Sequence, residues 1–337
     1  MATIIEVARK ANVSTATVSR VLSQPGLVSV DTRKRVMKVV EELGYEPNRA
    51  ARALRTLRAS KLLVMVPDIA NPFFGNIIRG AEEAARQNGY SLILGDTQDD
   101  PEVENEYASM LRRRDVDGLI FLGSRLPESL GPALESADGR HPIVNGCEYS
   151  EGLAVSSVQI DNEAAGADGL EHLVSLGHRH IGIITGPLDS PISRNRLLGA
   201  TNRAESHDIG PLLRVQVGDY SVGSGFAEAR NLLEKGVSAI FCFSDEMAIG
   251  ALKAVREAGL ECPGQVSIIG FDDIRFAQYL APSLTTICQP SREIGRQTVE
   301  LLLATIGGEI KDPRVITLPH RLVIRESTAP VAAGRQS

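Results

Sequence analysis

From Leu62 onward, short apolar runs alternate with amphipathic stretches, and this alternation constrains the fold of the 337-residue chain more than any other feature. Residues 62–66, 91–94, 118–122 and 142–144 read as buried strands. Helices are expected near 73–87 and 103–114. A second set follows, with strands at 181–185, 214–217, 239–243 and 266–271 and helices near 163–176, 194–206, 221–234, 246–258 and 292–305. A βαβα order implies parallel sheets covered by helices on both faces. Two sets imply two sheets, and their likeness implies two similar lobes. The fold class expected for this part is α/β.

Open parallel sheets bind ligands beyond the carboxyl ends of their strands. Here the first strand ends in Pro67-Asp68-Ile69-Ala70-Asn71-Pro72-Phe73-Phe74 and the third in Gly123-Ser124-Arg125. In the second set the ends read Thr185-Gly186-Pro187, Gly218-Asp219-Tyr220, Ser244-Asp245-Glu246 and Gly270-Phe271-Asp272-Asp273. Aromatic faces suit a small ring compound, and carboxylates with arginine suit its hydroxyls. Asp245 and Asp273 equally fit helix N-caps with no ligand role, and one of Phe73 and Phe74 suits packing alone.

Ahead of this body, residues 1–60 carry eleven Lys/Arg against five Asp/Glu, a net of +6. The whole chain is −6, so residues 61–337 carry −12. A basic head on an acidic body is expected where only the head touches phosphate. Thr3 and Glu6 have capping-box spacing, and Ile5, Val7, Ala8 and Ala11 are expected to line one side of the helix that follows. Asn12 suits a left-handed turn, and Ser14 a cap on a second helix in which Val18, Val21 and Leu22 face inward. The outward face then carries Thr15, Ala16, Thr17, Ser19 and Arg20, small hydrogen-bonding groups and a guanidinium that fit a major groove. A solvated helix pair shows the same capping and spacing; the charge tips the reading toward DNA. A third helix is expected over 29–43, capped by Ser29, lined by Val36, Val39, Val40 and Leu43, and ended by Gly44.

The run Ala-x-x-Ala-x-Val-Ser-x-x-Thr-Val-Ser-Arg over residues 8–20 resembles the DNA-binding head of the lactose-repressor (LacI) family, and the likeness extends over residues 1–55. The body resembles the same family over nearly all of 60–328. Its landmarks are Asn71-Pro72-Phe73-Phe74, Asp117-Gly118, Asp161-Asn162, Gly177-His178-Arg179-His180-Ile181, Gly270-Phe271-Asp272-Asp273 and Leu284-Thr285-Thr286-Ile287. The resemblance implies a helix-turn-helix head (1–46), a hinge helix and linker (47–60), and a two-lobed body of the periplasmic-binding-protein kind. Its lobes would be 61–161 with 290–320, and 162–289 with 321–330. It implies a transcriptional regulator, a repressor, whose operator affinity answers to a small effector between the lobes. DNA contacts would come from Thr3, Ser14, Thr15, Ala16, Thr17, Ser19 and Arg20, and from Asn48, Ala51, Arg52, Leu54 and Arg55 in a hinge that becomes helical on the operator. Leu54 would wedge into the minor groove. Effector contacts would fall on Phe73, Phe74, Ser124, Arg196, Tyr220 and Asp272, with Arg196 and Asp272 on hydroxyls and Tyr220 stacking.

Within the family the nearest likeness is to cytidine-responsive members, carried by Met1-Ala2-Thr3-Ile4-Ile5, Val66-Pro67-Asp68-Ile69 and Leu122-Gly123-Ser124-Arg125-Leu126-Pro127. Where purine-reading members have Arg and Thr, this chain has Ser190 and Ile192, which counts against a free purine base. A nucleoside is therefore the expected effector, with a pentose or hexose as the alternative. One hinge cannot span a two-fold operator, so a homodimer is expected. Residues 328–337 have no heptad leucines, so a coiled-coil tetramer is not.

An enzyme acting on a nucleoside or sugar is the reading from another class. No phosphate-binding G-x-G-x-x-G or G-x-x-x-x-G-K-[ST] is present, and no G-x-S-x-G. Gly223-Ser224-Gly225 lacks the third glycine, and Asp272 and Asp273, adjacent at a strand end, point apart. No catalytic residue or cofactor is expected. The cysteines (147, 242, 262, 288) are scattered without a C-x-x-C pair and read as small buried side chains, and His178-Arg179-His180 as a basic turn, so no metal is expected either. No apolar run reaches membrane-spanning length and no signal peptide is evident, so a cytoplasmic protein without membrane contact is expected.

Overall fold

The computed structural model describes residues 2–23, 25–45, 58–131, 142–149 and 155–331. The hinge positions Asn48, Ala51, Arg52, Leu54 and Arg55 lie outside them. The chain divides into two units, residues 1–59 and 60–337.

In the first unit, α1 (Ile4–Lys10) starts on the capping box that the spacing predicts: Glu6 N donates to Thr3 Oγ1 (3.3 Å) and Thr3 N to Glu6 Oε2 (2.7 Å). Asn12 takes the left-handed conformation (φ 52°), turning the chain toward α2 (Thr15–Ser23). Thr17 N donates to Ser14 Oγ at 3.1 Å, so Ser14 is the cap. The third helix, α3 (Val30–Glu42), ends on Gly44 at φ 55°. Val7, Ala8, Ala11, Val18, Val21, Val36 and Val39 form its core, with Leu22, Val40 and Leu43 packed against it. Two expectations fail here. Ile5 is 68% exposed, and Ile4 packs on the core instead. The inner face is thus 4, 7, 8 and 11, a strict helical stripe that the expected phase missed by one residue. Ser29 sits at the cap position of α3 but makes no side-chain cap bond; its hydroxyl donates to Thr32 Oγ1 (3.0 Å).

The second unit contains two six-stranded sheets. Its strands are β1 (Lys61–Val66), β2 (Ser91–Asp96), β3 (Gly118–Phe121), β4 (Ile143–Gly146), β5 (Ser156–Ile160), β6 (Ile181–Thr185), β7 (Arg214–Val217), β8 (Ala239–Cys242), β9 (Ser267–Asp272), β10 (Thr285–Cys288), β11 (Val315–Leu318) and β12 (Arg321–Val323). The orders are β11-β5-β4-β3-β1-β2 and β12-β10-β9-β8-β6-β7. The helices between them are α4 (Pro72–Gln87), α5 (Pro101–Arg112), α6 (Asn162–Ser175), α7 (Pro191–Ser206), α8 (Val222–Glu234), α9 (Asp245–Glu257) and α10 (Ser291–Gly307). In β1, Leu62, Val64 and Val66 enter one core while Leu63 and Met65 enter the core on the opposite face. That is the two-sided burial that an unbroken apolar strand requires. The sheets are parallel as expected except for β12, which runs antiparallel to β10.

Strands β5, β10, β11 and β12 escaped the apolar-run reading. β5 carries Ser156, Ser157 and Gln159, β10 opens on two threonines, and the edge strand β11 alternates exposed with half-buried positions. Two minor expectations are also corrected. His178 is no basic turn. It is buried, with Nδ1 3.0 Å from Ser238 Oγ and Nε2 3.0 Å from Ser267 Oγ, and burial lowers its pKa toward the neutral ring. Cys147 and Cys242 are buried, but Cys262 and Cys288 only half so. Among the described residues, no helix is long and apolar enough to cross a membrane.

Three helix pairs of the second unit pack through facing glycines. A Cβ on Gly80 of α4 would land on the Arg292 carbonyl oxygen, and one on Gly295 of α10 on that of Ile77. Gly166 and Gly199 play the same reciprocal part between α6 and α7, and Gly225 and Gly250 between α8 and α9. Backbone meets backbone in each pair, so neither side can yield by rotating a side chain. Gly295→Ala is accordingly expected to lower the stability of the second unit by about 1–3 kcal/mol through overpacking. Thermal unfolding checks this, and an unchanged midpoint would mean that α4 and α10 separate freely.

Candidate functional site

A cavity of about 740 Å³ lies where the carboxyl ends of both sheets meet, lined by residues from each lobe. At its floor, the second lobe holds Arg196 on α7. Its Nε donates to Asn162 Oδ1 (2.9 Å), its Nη1 donates to the Phe243 carbonyl (2.8 Å), and its guanidinium lies 3.6 Å from the centroid of the Phe271 ring. A buried charge needs such partners, and these also fix the direction of the donors that remain.

Asp272 ends β9 with φ 112°, and its Oδ1 accepts from Gln289 Nε2 at 2.8 Å. Asp273 turns the other way and accepts from Arg325 Nη2 (2.6 Å), so the adjacent carboxylates do point apart. Tyr220 follows β7 in the left-handed region (φ 69°), its hydroxyl 2.5 Å from Ser193 Oγ. Any side chain on Gly186 would run into the Tyr220 ring, so that glycine makes the ring's seat. Neither Asp245 nor Asp273 is a helix cap. Ser244 caps α9, while Asp245 is buried and accepts from Thr286 Oγ1 (2.6 Å) and Ile274 N (2.8 Å). It thereby braces the turn that carries Asp272.

From the first lobe come Phe73, Phe74 and Ser124. Asn71 caps α4 through Phe73 N (2.9 Å) and so places the aromatic pair at the rim, their centroids 5.2 Å apart. Phe74 is mostly core, while Phe73 and Ser124 are half-buried. The cavity therefore brings together Phe73, Phe74, Ser124, Arg196, Tyr220 and Asp272.

It also contains a residue that sequence reasoning missed. Glu148 follows β4 and is buried; its Oε1 accepts from Ser190 Oγ (3.3 Å) and its Oε2 has no partner among the described residues. A lone acid in a loop carries no pattern, so nothing short of the fold marks it. Asn162, Ser193 and Gln289, which hold Arg196, Tyr220 and Asp272, were unmarked as ligand-site supports for the same reason. Burial pushes Glu148 up to about 8, against the pull of Arg196 and the Ser190 hydroxyl. Burial likewise pushes Asp272 up to about 7, against Arg196 and Gln289, and Tyr220 up to about 12.

On the first unit, α2 exposes Thr15, Ala16 and Arg20, while Thr17 and Ser19 are half-buried. The Thr17 hydroxyl lies 2.9 Å from Ser14 Oγ, and the exposed Thr3 is held in its capping box. Arg35 Nε donates to the Ala11 carbonyl (2.9 Å), which ties α3 to the end of α1 and steadies the base on which α2 stands.

Glu148 yields a pH-dependent prediction. Its folded-state pKa lies above the unfolded value of 4.5, so the stability it contributes is complete below about pH 4.5 and is lost as pH rises through about 8. Glutamine keeps the shape and does not titrate. Glu148→Gln should therefore match the wild-type melting temperature near pH 4.5 and exceed it by roughly 3 °C or more at pH 9. A difference that stays constant across that range would show that Glu148 is not buried as a free acid.

Known proteins match this architecture in both units. Residues 3–48 match the family described as bacterial regulatory proteins, lacI family, and residues 170–328 match the periplasmic binding protein-like domain. The HTH-type transcriptional repressor CytR of Escherichia coli K12 is 38% identical over 332 residues, covering 97% of this chain and 96% of its own. A crystal structure of the lac repressor dimer bound to operator and the anti-inducer ONPF superposes with a TM-score of 0.85 at 31% identity, covering 97% of this chain and 99% of that one. A LacI-family regulator from Enterococcus faecium with bound ribose superposes with a TM-score of 0.72 at 32% identity, covering 81% of this chain and all of that one. With relatives that are transcriptional regulators along its full length, the chain is not an enzyme; it belongs to the LacI family of DNA-binding transcriptional repressors.

Proposed function

We propose that this repressor binds a ribonucleoside, pyrimidine rather than purine, between its lobes, and that occupancy changes its affinity for operator DNA. The observation that carries this is the Tyr220 ring, locked by Ser193 and seated over Gly186, in the same cavity as the Arg196–Asp272 pair. A ring platform beside a guanidinium and a carboxylate suits a molecule with one flat part and two neighbouring hydroxyls. Ile192 adds an apolar wall that would leave the edge of a purine base without a partner. A pentose is the second reading, favoured by the ribose-bound relative, since the Arg–Asp pair serves a bare sugar equally well.

On the DNA side, Thr15, Ala16, Thr17, Ser19 and Arg20 enter the major groove with Ser14 and Thr3 at its edge. Asn48, Ala51, Arg52, Leu54 and Arg55 contact the minor groove at the centre of the site, Leu54 as an apolar wedge. The protein acts as a homodimer, because a two-fold operator needs two heads.

Two measurements test these roles. Arg20→Ala should weaken binding to the cognate operator by about 1–3 kcal/mol while leaving non-specific binding nearly unchanged. A uniform loss over all sequences in gel shifts would make Arg20 a phosphate contact. Calorimetry on the full chain should find cytidine bound more tightly than ribose, with that binding lost in Asp272→Ala. Equal affinity for ribose would remove the base from the reading and leave the pentose.

A further inference from the structure

The two lobes are joined covalently where β5 leads into α6, β10 into α10 and β11 into β12. Crossovers of this kind act as hinges, so away from them the lobes stay together only through non-covalent contacts. Among the described residues, one short segment of the first lobe makes two such contacts. After β4, Cys147 takes the left-handed conformation (φ 61°), its N–H bonded to the Val158 carbonyl (2.8 Å). A non-glycine residue is held there only where its surroundings offset the strain. The next two residues meet the second lobe. Ser190 Oγ donates to Glu148 Oε1 (3.3 Å), and Asn195 Nδ2 donates to the Tyr149 hydroxyl (2.9 Å).

The two bonds differ in kind. Glu148 lines the cavity, and its carboxyl titrates near pH 8. Tyr149 and Asn195 stand outside the cavity lining, both half-buried, and there an amide meets a phenol. Their partners on the second lobe share one helix. Ser190 holds the cap position of α7 without a side-chain cap bond, and Asn195 immediately precedes Arg196. The same helix carries Ser193, which locks Tyr220, and Arg196 itself, fixed by Asn162 and the Phe243 carbonyl. The first lobe thus grips the helix that presents the second lobe's cavity groups. That grip has a force to oppose. Burial raises the Asp99 and Glu246 carboxyls, and so, from the opposite lobe, do Asp189 and Asp68 respectively. Like charges across the mouth push the lobes apart.

We infer that Tyr149 and Asn195 form a latch that holds the two lobes together without effector. Both are positioning residues, since they act through α7 and not on a bound molecule. The latch does not depend on what the effector is. Its consequence for DNA rests on the reading above, that the state of the body changes operator affinity.

The test compares full-length wild type, Tyr149→Phe, Asn195→Ala and the double variant, all without effector. Phenylalanine keeps the ring and removes the hydroxyl alone. Hydrogen exchange read by mass spectrometry follows the cleft rims at residues 67–74 and 219–224, which lie outside the Tyr149–Asn195 bond. Gel shifts follow binding to an operator that the protein itself selects from random duplexes. In each single variant both rims should exchange faster, and operator affinity should shift by roughly two- to tenfold, the range that one net hydrogen bond supports. The double variant should match either single one, because both substitutions remove the same bond. Circular dichroism confirms that the variants are folded. Rims that exchange as in wild type, or effects of the two substitutions that add, overturn the latch. Rims that exchange faster with operator affinity unchanged leave the latch standing and overturn the reading that the body's state governs DNA binding.

Discussion

One buried guanidinium organises the effector cleft. Arg196 enters from α7 and meets three unlike partners: the amide oxygen of Asn162, the carbonyl of Phe243 and the face of Phe271. Those contacts span the start of α6, the end of β8 and the body of β9, so the charge ties three elements of the second lobe at one point. Its field then acts on groups that it does not bond. It lowers the pKa values of Glu148, Asp272 and Tyr220, each of which burial drives the other way. Without Arg196 the two carboxyls would be held more firmly as neutral acids, and the cleft would lose both its ligand donors and its acceptors.

That arrangement depends on backbone geometry more than on side-chain packing. Arg196 sits on α7, whose carbonyl at that same residue is pressed against Gly166 of α6, and Asn162 lies one turn earlier on α6. The glycine contact therefore sets the separation across which Arg196 reaches Asn162. A wider helix pair would carry the guanidinium off its amide partner and its aromatic face together. The same reciprocal glycines between α4 and α10 and between α8 and α9 repeat the device across both lobes, so the internal likeness extends to how helices touch.

The sequence was most legible where a single local rule decides the outcome. The capping box at Thr3, the turn at Asn12, the Ser14 cap and the two-sided strands followed from spacing and burial, and the converging strand ends located the cleft. It was least legible where the deciding contact is distant in sequence. Asp245 fits a cap until Thr286 and Ile274, far along the chain, supply its donors. His178 reads as a turn residue until Ser238 and Ser267 close around it. Strand β5 hides because its polar side chains are buried by neighbours, not by their own nature. Glu148 belongs to the same class, since only the fold brings Ser190 to one of its oxygens and leaves the other bare.

The cleft thus combines a rigid side with an unfinished one. Arg196, Asp272 and Tyr220 are each braced by a neighbour on their own lobe, through Asn162, Gln289 and Ser193. Glu148 comes from the other lobe and, among the described residues, its side chain is held by Ser190 across the cleft. Carboxylates of the two lobes also oppose one another at the mouth, where Asp189 acts on Asp99 and Asp68 on Glu246. With the cleft empty, approach of the lobes concentrates like charge and buries an acid with an unmet oxygen, and both effects resist closure. A ligand that supplies donors between these groups offsets both at once. Under the proposed function, the acids that a ligand satisfies set how strongly it draws the two lobes together, and only a difference of that kind can couple occupancy to DNA binding.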